Sequence, residues 1–275
     1  MPRISTAVLT IALIATLTSA CQQAQSPRAS EDADKARTQP GAAAAQSRTE
    51  RAGAAPGDCS DLPSSDDLKN FVRQAPSDGG PVGGMFDGKM EWVAVVNRRG
   101  ELCAVAVETD DPASSWLGSA GIAKAKAYTA NAFSTDTQPI STARLYTMAQ
   151  PGHSLYGAAN ANPFNPACLA TPKEAVDAGK GEICGGTIVF GGGVPLYKGK
   201  TRVGGLGASG DTSCADHELA KRVRHLAKLD PDKGEFVDDI VYTKADGPSV
   251  YAHPLCSNTW RNGMKLGDEQ MPSDY

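Results

Sequence analysis

The stretch that decides the fold runs from Gly185 to Lys228 and reads GGTIVFGGGVPLYKGKTRVGGLGASGDTSCADHELAKRVRHLAK. Thr187–Phe190 is a short β-branched and aromatic run, which predicts a strand that ends at a triple glycine. Val194–Tyr197 and Arg202–Leu206 flank a Lys-Gly-Lys turn, and this pattern predicts a β-hairpin. After a glycine-rich corner, the N-cap candidates at Asp211–Ser213 predict the start of a helix. The stretch therefore predicts a hairpin followed by a capped helix, with glycines that let backbone or ligand approach closely.

Two glycine motifs in this stretch resemble nucleotide-binding sequences, and the sequence argues against both. Residues 205–210 have the GxGxxG spacing of the dinucleotide fingerprint, but that fingerprint requires a βαβ unit with a second parallel strand and an acidic residue after the helix. A hairpin precedes the glycines instead. Residues 199–201 end like a phosphate-binding loop, yet Val194 occupies the position where that motif requires its first glycine.

The same stretch resembles the C-terminal half of the GlcG/HbpS-like family of haem-binding (or haem-degrading) domains through the sequence VFGGGVPLYKGKTRVGGLGASG. The family's first hairpin is similar to VAVVNRRGELCAVAVE, and its central helix is similar to AKAKAYTANAF. The resemblance extends from Cys59 to Leu229. It implies an α/β fold in which an antiparallel sheet is flanked by helices, as in the profilin or sensor-domain α/β sandwich. It also implies haem as a cofactor and assembly into homo-oligomers, and the longer sequence GASGDTSCADH resembles an exported subgroup.

The first residues of the chain predict export. Arg3 and the apolar run Ala7–Leu17 have the pattern of a secretory signal peptide, and the run is too short to span a bilayer comfortably. The signal ends in LTSAC, which resembles a bacterial lipoprotein cleavage box. Cleavage there would leave a lipidated Cys21 as a membrane anchor, and Gln22 favours the outer membrane of the bacterial periplasm. Ordinary signal cleavage near Ala20 is the alternative.

We divide the chain into four segments: a signal peptide at 1–20, a lipidated cysteine and disordered tether at 21–57, a GlcG/HbpS-like domain at 58–229, and a C-terminal tail at 230–275 docked on the domain. The tether lacks large apolar side chains after its first residue, so burial cannot offset the entropy of ordering it. The formal net charge of -4 and the pI near 5.6 argue against nucleic acid as a partner.

Further elements are predicted before the decisive stretch. They are helices at 62–74, 112–133 and 140–149 and a hairpin of two strands at 91–97 and 101–108. The nearly continuous apolar content of both strands predicts central positions in a sheet that is covered on both faces. The main helix at 112–133 carries a face of small side chains that would let it approach the sheet closely, formed by Ala120, Ala123, Ala127 and Ala130.

Cysteine usage agrees with export, because six cysteines follow Cys21 and an even number outside the cytoplasm favours disulfides. We predict the pairs Cys59–Cys103, Cys168–Cys184 and Cys214–Cys256. The last pair has an alternative, since Cys214-x-x-His217 and His253-x-x-Cys256 are mirrored dyads that would form a closed tetrahedral zinc site. Oxidising surroundings favour the disulfide.

Ligand-binding candidates lie in the long loop at 150–184, in the main helix and at the triple glycine. We expect the loop to be an ordered cover over the glycine strand, with His153 and Tyr156 spaced to ligate haem iron or to stack on a porphyrin. Lys126 is a candidate to face a ligand carboxylate, whereas Lys124 is expected in solvent. The wall of the pocket would be formed by Gly191, Gly192 and Gly193.

No catalytic motif is present, since the chain lacks G-x-S-x-G, H-E-x-x-H and C-x-x-C-H. A serine at 209 or 213 lies near Asp216 and His217, but proximity in sequence does not make a triad. Three hypotheses follow: a membrane-anchored domain that binds haem or a similar small ligand; an enzyme that degrades haem or acts on a small oxygenated metabolite, with His217 or His153 as acid or base; and a structural or partner-binding module. If haem binds, we expect His153 rather than His217 as its ligand.

Overall fold

The computed structural model describes residues 58–269. The predicted signal peptide, the lipidation site at Cys21 and the tether up to Gly57 lie outside the described residues. The helices are α1 (Ser65–Gln74), α2 (Ser119–Phe133), α3 (Ala158–Ala161), α4 (Ser213–Leu226) and α5 (Thr243–Asp246). The strands are β1 (Trp92–Asn97), β2 (Leu102–Val107), β3 (Gly193–Lys198), β4 (Thr201–Ser209), β5 (Val241–Tyr242), β6 (Ala252–His253), β7 (Thr259–Arg261) and β8 (Met264–Gly267).

The main sheet is antiparallel and has the strand order β2-β1-β4-β3. Helix α2 covers one face, and α1 and α4 cover the other, so the domain is an α/β sandwich. Successive residues of β1 alternate between the two cores: Val93 and Val95 pack with α1 and α4, whereas Trp92 and Ala94 pack with α2. This arrangement confirms the predicted fold class.

Strand β1 is central, as expected, whereas β2 lies at an edge of the sheet. Its near-continuous apolar sequence is explained by cover on both faces, because its residues belong to both cores. The long loop also pairs with the start of this edge, where the amide of Leu102 donates to the carbonyl of Glu182 at 2.9 Å. This contact shields part of an edge that would otherwise be open to another strand.

Close packing of α2 on β4 depends on glycines. A Cβ at Gly205 would collide with the carbonyl oxygen of Ala127, and one at Gly207 would collide with that of Ala123. The small-residue face of α2 therefore meets a strand without side chains on that side, and the two backbones approach directly. The expectation of a close approach is confirmed, although the α-helix begins at Ser119 and residues 112–114 form a separate 3₁₀ turn.

The predicted strand at 187–190 is wrong. These residues lie against α2 instead of in the sheet, and the amide of Ile188 donates to the Thr129 hydroxyl at 3.0 Å. Strand β4 in turn extends through the predicted glycine corner to Ser209, because Ser209 still pairs with Trp92 of β1. The short helix expected at 140–149 is two 3₁₀ turns, at Thr142–Leu145 and Thr147–Ala149.

Local capping follows the sequence. Ser64 and Asp67 form a reciprocal capping box at the start of α1. At α4 the side chain of Thr212 accepts from the amide of Ala215. Helix α1 therefore begins at Ser65, three residues after the predicted start at 62, whereas α4 begins at Ser213, within the predicted range.

The structure forms the three predicted disulfides, Cys59–Cys103, Cys168–Cys184 and Cys214–Cys256. They tie the start of the domain to β2, close the long loop, and join α4 to the segment after β6. The chain just before β5 also contacts α4, because the guanidinium of Arg224 is buried against Asp238. Within residues 58–269, no helix has both the length and the apolar composition needed to cross a membrane.

Candidate functional site

A buried ionic cluster lies where α2 and α4 meet beyond the end of the sheet. The ammonium of Lys126 is 2.5 Å from Oδ2 of Asp216 and 2.9 Å from the carbonyl of Ala208. The other oxygen of Asp216 accepts from the amides of Gly210 and Asp211 at 3.1 and 2.9 Å. The structure therefore gives Lys126 an internal carboxylate partner, where the sequence suggested one from a ligand.

The buried carboxyl group of Glu91 lies beside this cluster. Its side chain is fully buried, and burial together with the nearby Asp216 raises the pKa of Glu91 well above 4.5. Neither carboxyl oxygen of Glu91 has a hydrogen-bond partner among the described residues. Burial without a partner and beside the Asp216 carboxylate disfavours the charged form of Glu91.

The triple glycine faces the interior of the protein. The amide of Gly191 donates to Nε2 of His253 at 3.3 Å, and that of Gly192 reaches Nδ1 of His217 at 3.5 Å. The amide of Gly193 donates to the Thr142 hydroxyl at 2.8 Å, and all three glycines are buried.

Neighbouring groups also fill the space beside these glycines. A Cβ at Gly192 would lie 2.5 Å from the Lys126 ammonium. Protein groups thus occupy the volume that the sequence assigned to a ligand pocket, and Gly191, Gly192 and Gly193 serve close packing.

All four histidines lie in the described residues, and three of them already have internal polar partners. His217 and His253 are buried and accept from the glycine amides; burial lowers both pKa values, that of His253 to about 4. His225 lies 2.8 Å from Asp230 and 2.9 Å from Glu235, and the hydrogen bond to Asp230 raises its pKa. His153 is exposed.

The turn that carries His153 also presents Tyr156. The amide of Tyr156 donates to the carbonyl of His153 at 3.1 Å, and the Tyr156 side chain is 67% exposed. Within residues 58–269, neither side chain forms a hydrogen bond, so both are available to a ligand. The structure does not link them to Lys126 or to the triple glycine.

An apolar groove of about 320 Å³ lies on the outer side of α2, between that helix and the long loop. It is lined by Gly118, Gly121, Ile122, Ala125, Ala159, Asn162, Pro163, Phe164, Leu169, Gly186, Thr187 and Ile188. The groove adjoins the turn of Tyr156, because α3 begins two residues later and its Ala159 is part of the lining. The long loop lies over α2 and not over the glycine strand, so the predicted cover over that strand is wrong.

Sequence reasoning missed this groove, although Phe164 and Leu169 in a polar loop were a signal for it. The expectation that Lys124 lies in solvent is also wrong. Lys124 is fully buried, donates to the carbonyls of Cys168 and Ala178 at 2.9 and 2.8 Å, and has its pKa lowered by burial to about 8. The long loop brings these carbonyls over α2, so the sequence around Lys124 could not predict the contact.

Two further groups of residues noted in the sequence, the Ser, Asp and His residues around His217 and the possible zinc ligands, are arranged differently in the structure. Asp216 pairs with Lys126 and not with a histidine, so the residues around His217 form no Ser–His–Asp triad. The sulfurs of Cys214 and Cys256 are bonded to each other, and only His253 lies with them. Nε2 of His217 instead lies 3.5 Å from the Asp239 carboxylate. The fourfold zinc site with His217 as a ligand is therefore not formed.

These features define a disulfide-bonded α/β sandwich with an apolar groove beside its central helix. More particularly, the sequence profile of the HbpS-like haem-degrading proteins matches residues 87–224, from just before β1 into α4. That match covers half of the chain, which therefore belongs to the HbpS-like family.

Solved structures show low similarity to the chain, with TM-scores below 0.5. Protein ORFY of Klebsiella pneumoniae is 20% identical, with 62% of this chain and 90% of that chain covered and a TM-score of 0.41. The complex of PduOC with haem is 21% identical, with coverages of 60% and 93% and a TM-score of 0.42. A double mutant of Streptomyces reticuli HbpS is 17% identical, with coverages of 68% and 98% and a TM-score of 0.39. No curated protein sequence matches the chain significantly.

Proposed function

We propose that this protein is an exported domain, anchored to a membrane through Cys21, that binds haem or a similar planar small ligand. Membership of the HbpS-like family is the observation that carries the haem assignment. The exported and anchored location rests on the signal sequence and on the three disulfides, which are typical of proteins outside the cytoplasm.

The residues beside α2 fit the chemistry of haem. A porphyrin needs apolar surface for its macrocycle, and its iron needs a side chain with an available lone pair. The groove supplies the first requirement through Ile122, Phe164 and Leu169. His153 supplies the second, because the other histidines are held by internal partners.

In this proposal His153 would ligate the iron, and the exposed ring of Tyr156 would lie against the macrocycle. The groove, at about 320 Å³, is near the small end of the range for ligand sites, about 300–1,000 Å³. It would therefore hold part of the macrocycle, and the turn of His153 would cover the rest. When bound, haem supplies a redox-active iron.

A haemin titration of the mature chain, followed by its Soret band, tests the proposal. We expect saturation with a dissociation constant on the order of micromolar or tighter. His153→Ala should change the spectrum and weaken binding. His225→Ala should leave both unchanged, since it removes another exposed histidine away from the groove.

Two results would contradict different parts of this proposal. An unchanged spectrum in His153→Ala would exclude His153 as the ligand while leaving haem binding intact. A flat response of the wild-type protein would exclude haem binding and leave the family as a statement about fold. Ala159→Trp, which fills the groove, should weaken haemin binding in the groove and leave nonspecific adsorption of haemin unchanged.

Localisation is tested independently of haem. Cys21→Ser should shift the protein from the membrane fraction to the soluble exported fraction. It should also remove the mass of the acyl groups from the mature N-terminus. An unmodified N-terminus in the wild-type protein would contradict lipidation.

A further inference from the structure

Three buried donor atoms converge where the C-terminal segment meets the start of α4. The sulfurs of Cys214 and Cys256 and a ring nitrogen of His253 lie within 4.8 Å of one another, and the three residues are 2%, 8% and 3% exposed. We propose that these side chains bind a zinc ion once the Cys214–Cys256 disulfide is reduced. The site would then alternate between a disulfide and a zinc centre with two thiolates and one imidazole.

The ring of His253 already has the orientation of a metal ligand. Nδ1 lies 2.7 Å from the carbonyl oxygen of Pro254, and because a carbonyl can only accept, the ring proton is on Nδ1. Nε2 then carries the lone pair, lies 3.4 Å from the Ser213 hydroxyl and accepts from the Gly191 amide at 3.3 Å, a hydrogen bond that zinc would replace. Metal-ligating histidines usually donate their other N–H to a carbonyl in this way.

The ring is also held in place by aromatic neighbours. Tyr146 lies against it with ring centroids 5.0 Å apart, and Tyr242 meets it edge-on at 6.4 Å. A ligand whose rotamer is fixed before the metal arrives loses less entropy on binding.

The surroundings of the two sulfurs favour thiolates. Cys214 lies in the first turn of α4, where free amides and the helix dipole stabilise negative charge. The amide of Cys214 lies 3.2 Å from the sulfur of Cys256, and the hydroxyl of Ser213 lies 3.3 Å from the same atom. Two thiolates and one imidazole form a donor set that zinc prefers, with the fourth tetrahedral position left to water.

The chemistry balances with an external dithiol reductant. The dithiol transfers two electrons and two protons to the disulfide, breaks the S–S bond and becomes a disulfide itself. Zinc then displaces the two thiol protons when it binds. Reduction requires local opening of the segment around Cys256, and the short elements β5, α5 and β6 that precede it, two to four residues long, favour such opening.

Cobalt titration of the reduced protein tests the site, because thiolate-bound tetrahedral Co²⁺ has intense charge-transfer and visible bands. The chain is reduced anaerobically with a phosphine, its fold is checked by circular dichroism, and Zn²⁺ is then used to displace Co²⁺. We expect one ion per chain after reduction and none in the oxidised protein. His253→Ala should weaken binding by at least about 10-fold, and Cys256→Ser should remove part of the charge-transfer band.

Controls separate this site from the other thiols. The pair of changes Cys59→Ser and Cys103→Ser should leave this cobalt binding unchanged, as should His225→Ala, which removes a donor from the exposed group of His225, Asp230 and Glu235. A reduced, folded protein that binds no cobalt would overturn the proposal. So would binding that His253→Ala leaves unaltered, or a chain that unfolds on reduction even with zinc present.

A second variant avoids the need for reduction. Cys256→His leaves the other two disulfides intact and keeps three donors at the site, while Cys214 loses its disulfide partner. This variant should bind Co²⁺ and Zn²⁺ without reductant, and the additional change His253→Ala should weaken that binding. Failure of the folded Cys256→His variant to bind either ion would also count against the site.

Discussion

The ammonium of Lys126 and the carboxylate of Asp216 form a buried ion pair, with Nζ 2.5 Å from Oδ2 and side chains 0% and 2% exposed. Lys126 belongs to α2 and Asp216 to α4, so the pair joins the two helical layers around the end of the sheet. Gly192 makes the approach feasible, because a side chain there would occupy the position of the ammonium.

Lys126→Met should destabilise the protein strongly. It leaves the Asp216 carboxylate buried without its cation, and breaking a buried pair in this way costs about 3–5 kcal/mol. Chemical denaturation measures the loss, and Lys173→Met at the surface is the matched control. Combining Lys126→Met with Asp216→Asn should restore part of the stability, since the amide oxygen can still accept from Gly210 and Asp211. Simple additivity of the two changes would contradict the pairing.

Glu91→Gln should flatten the dependence of stability on pH. Burial and the nearby Asp216 raise the pKa of Glu91 well above 4.5, so the folded chain keeps a proton that the unfolded chain releases. Stability from this group is fully present below pH 4.5 and is lost as pH rises through the folded-state pKa. Glutamine has no proton to lose, so the variant should lose less stability at alkaline pH than the wild type.

The comparison is made by urea denaturation at a series of pH values. Glu182→Gln, at an exposed position in the long loop, should retain the wild-type slope. Equal slopes for Glu91→Gln and the wild type would show that Glu91 is ionised in the folded protein.

Gly207→Ala should destabilise the domain, because its methyl group would be driven into the carbonyl of Ala123 on α2. Overpacking of this kind costs about 1–3 kcal/mol or more where backbone must move. Gly118→Ala is the control, since a Cβ there has no neighbour within 4 Å. Thermal unfolding of the two variants should differ clearly, and equal midpoints would contradict direct contact between α2 and β4.

Arg224→Lys should weaken the attachment of the C-terminal segment. The five N–H donors of Arg224 reach the carboxylates of Asp230 and Asp238 and the carbonyls of Pro195 and Glu235. A lysine keeps the charge but cannot form this fork, so we expect a loss of at least about 2 kcal/mol.

Limited proteolysis should detect earlier cleavage of the C-terminal segment in this variant. Arg99→Lys, in the exposed pair with Glu101, should change stability by no more than about 0.5 kcal/mol. Similar effects of the two substitutions would argue against a special role for the buried fork.

Much of the fold could be predicted because its signals are local. The hairpin strands alternate between two cores, Ser64 and Thr212 cap the helices that follow them, and the small residues of α2 match the glycines of β4. The cysteine pairs also agreed with prediction, because each was expected between elements that the fold brings together. The predicted strand Thr187–Phe190 and the predicted helix at 140–149 were exceptions. A β-branched run such as 187–190 suits a partly buried segment that packs against a helix as well as one that pairs in a sheet.

The candidate site depended on tertiary structure. From the sequence, Lys124 and Lys126 are two similar cations on one helix, yet each is buried against a different long-range partner. Asp216 lies 90 residues from Lys126, and the carbonyl of Cys168 lies 44 residues from Lys124. The sequence by itself thus determined the family, the caps and the glycine contacts, because adjacent residues set backbone conformation and burial pattern. Only the folded chain decided which histidines are occupied and where the apolar groove lies, because these depend on contacts between segments that are distant along the chain.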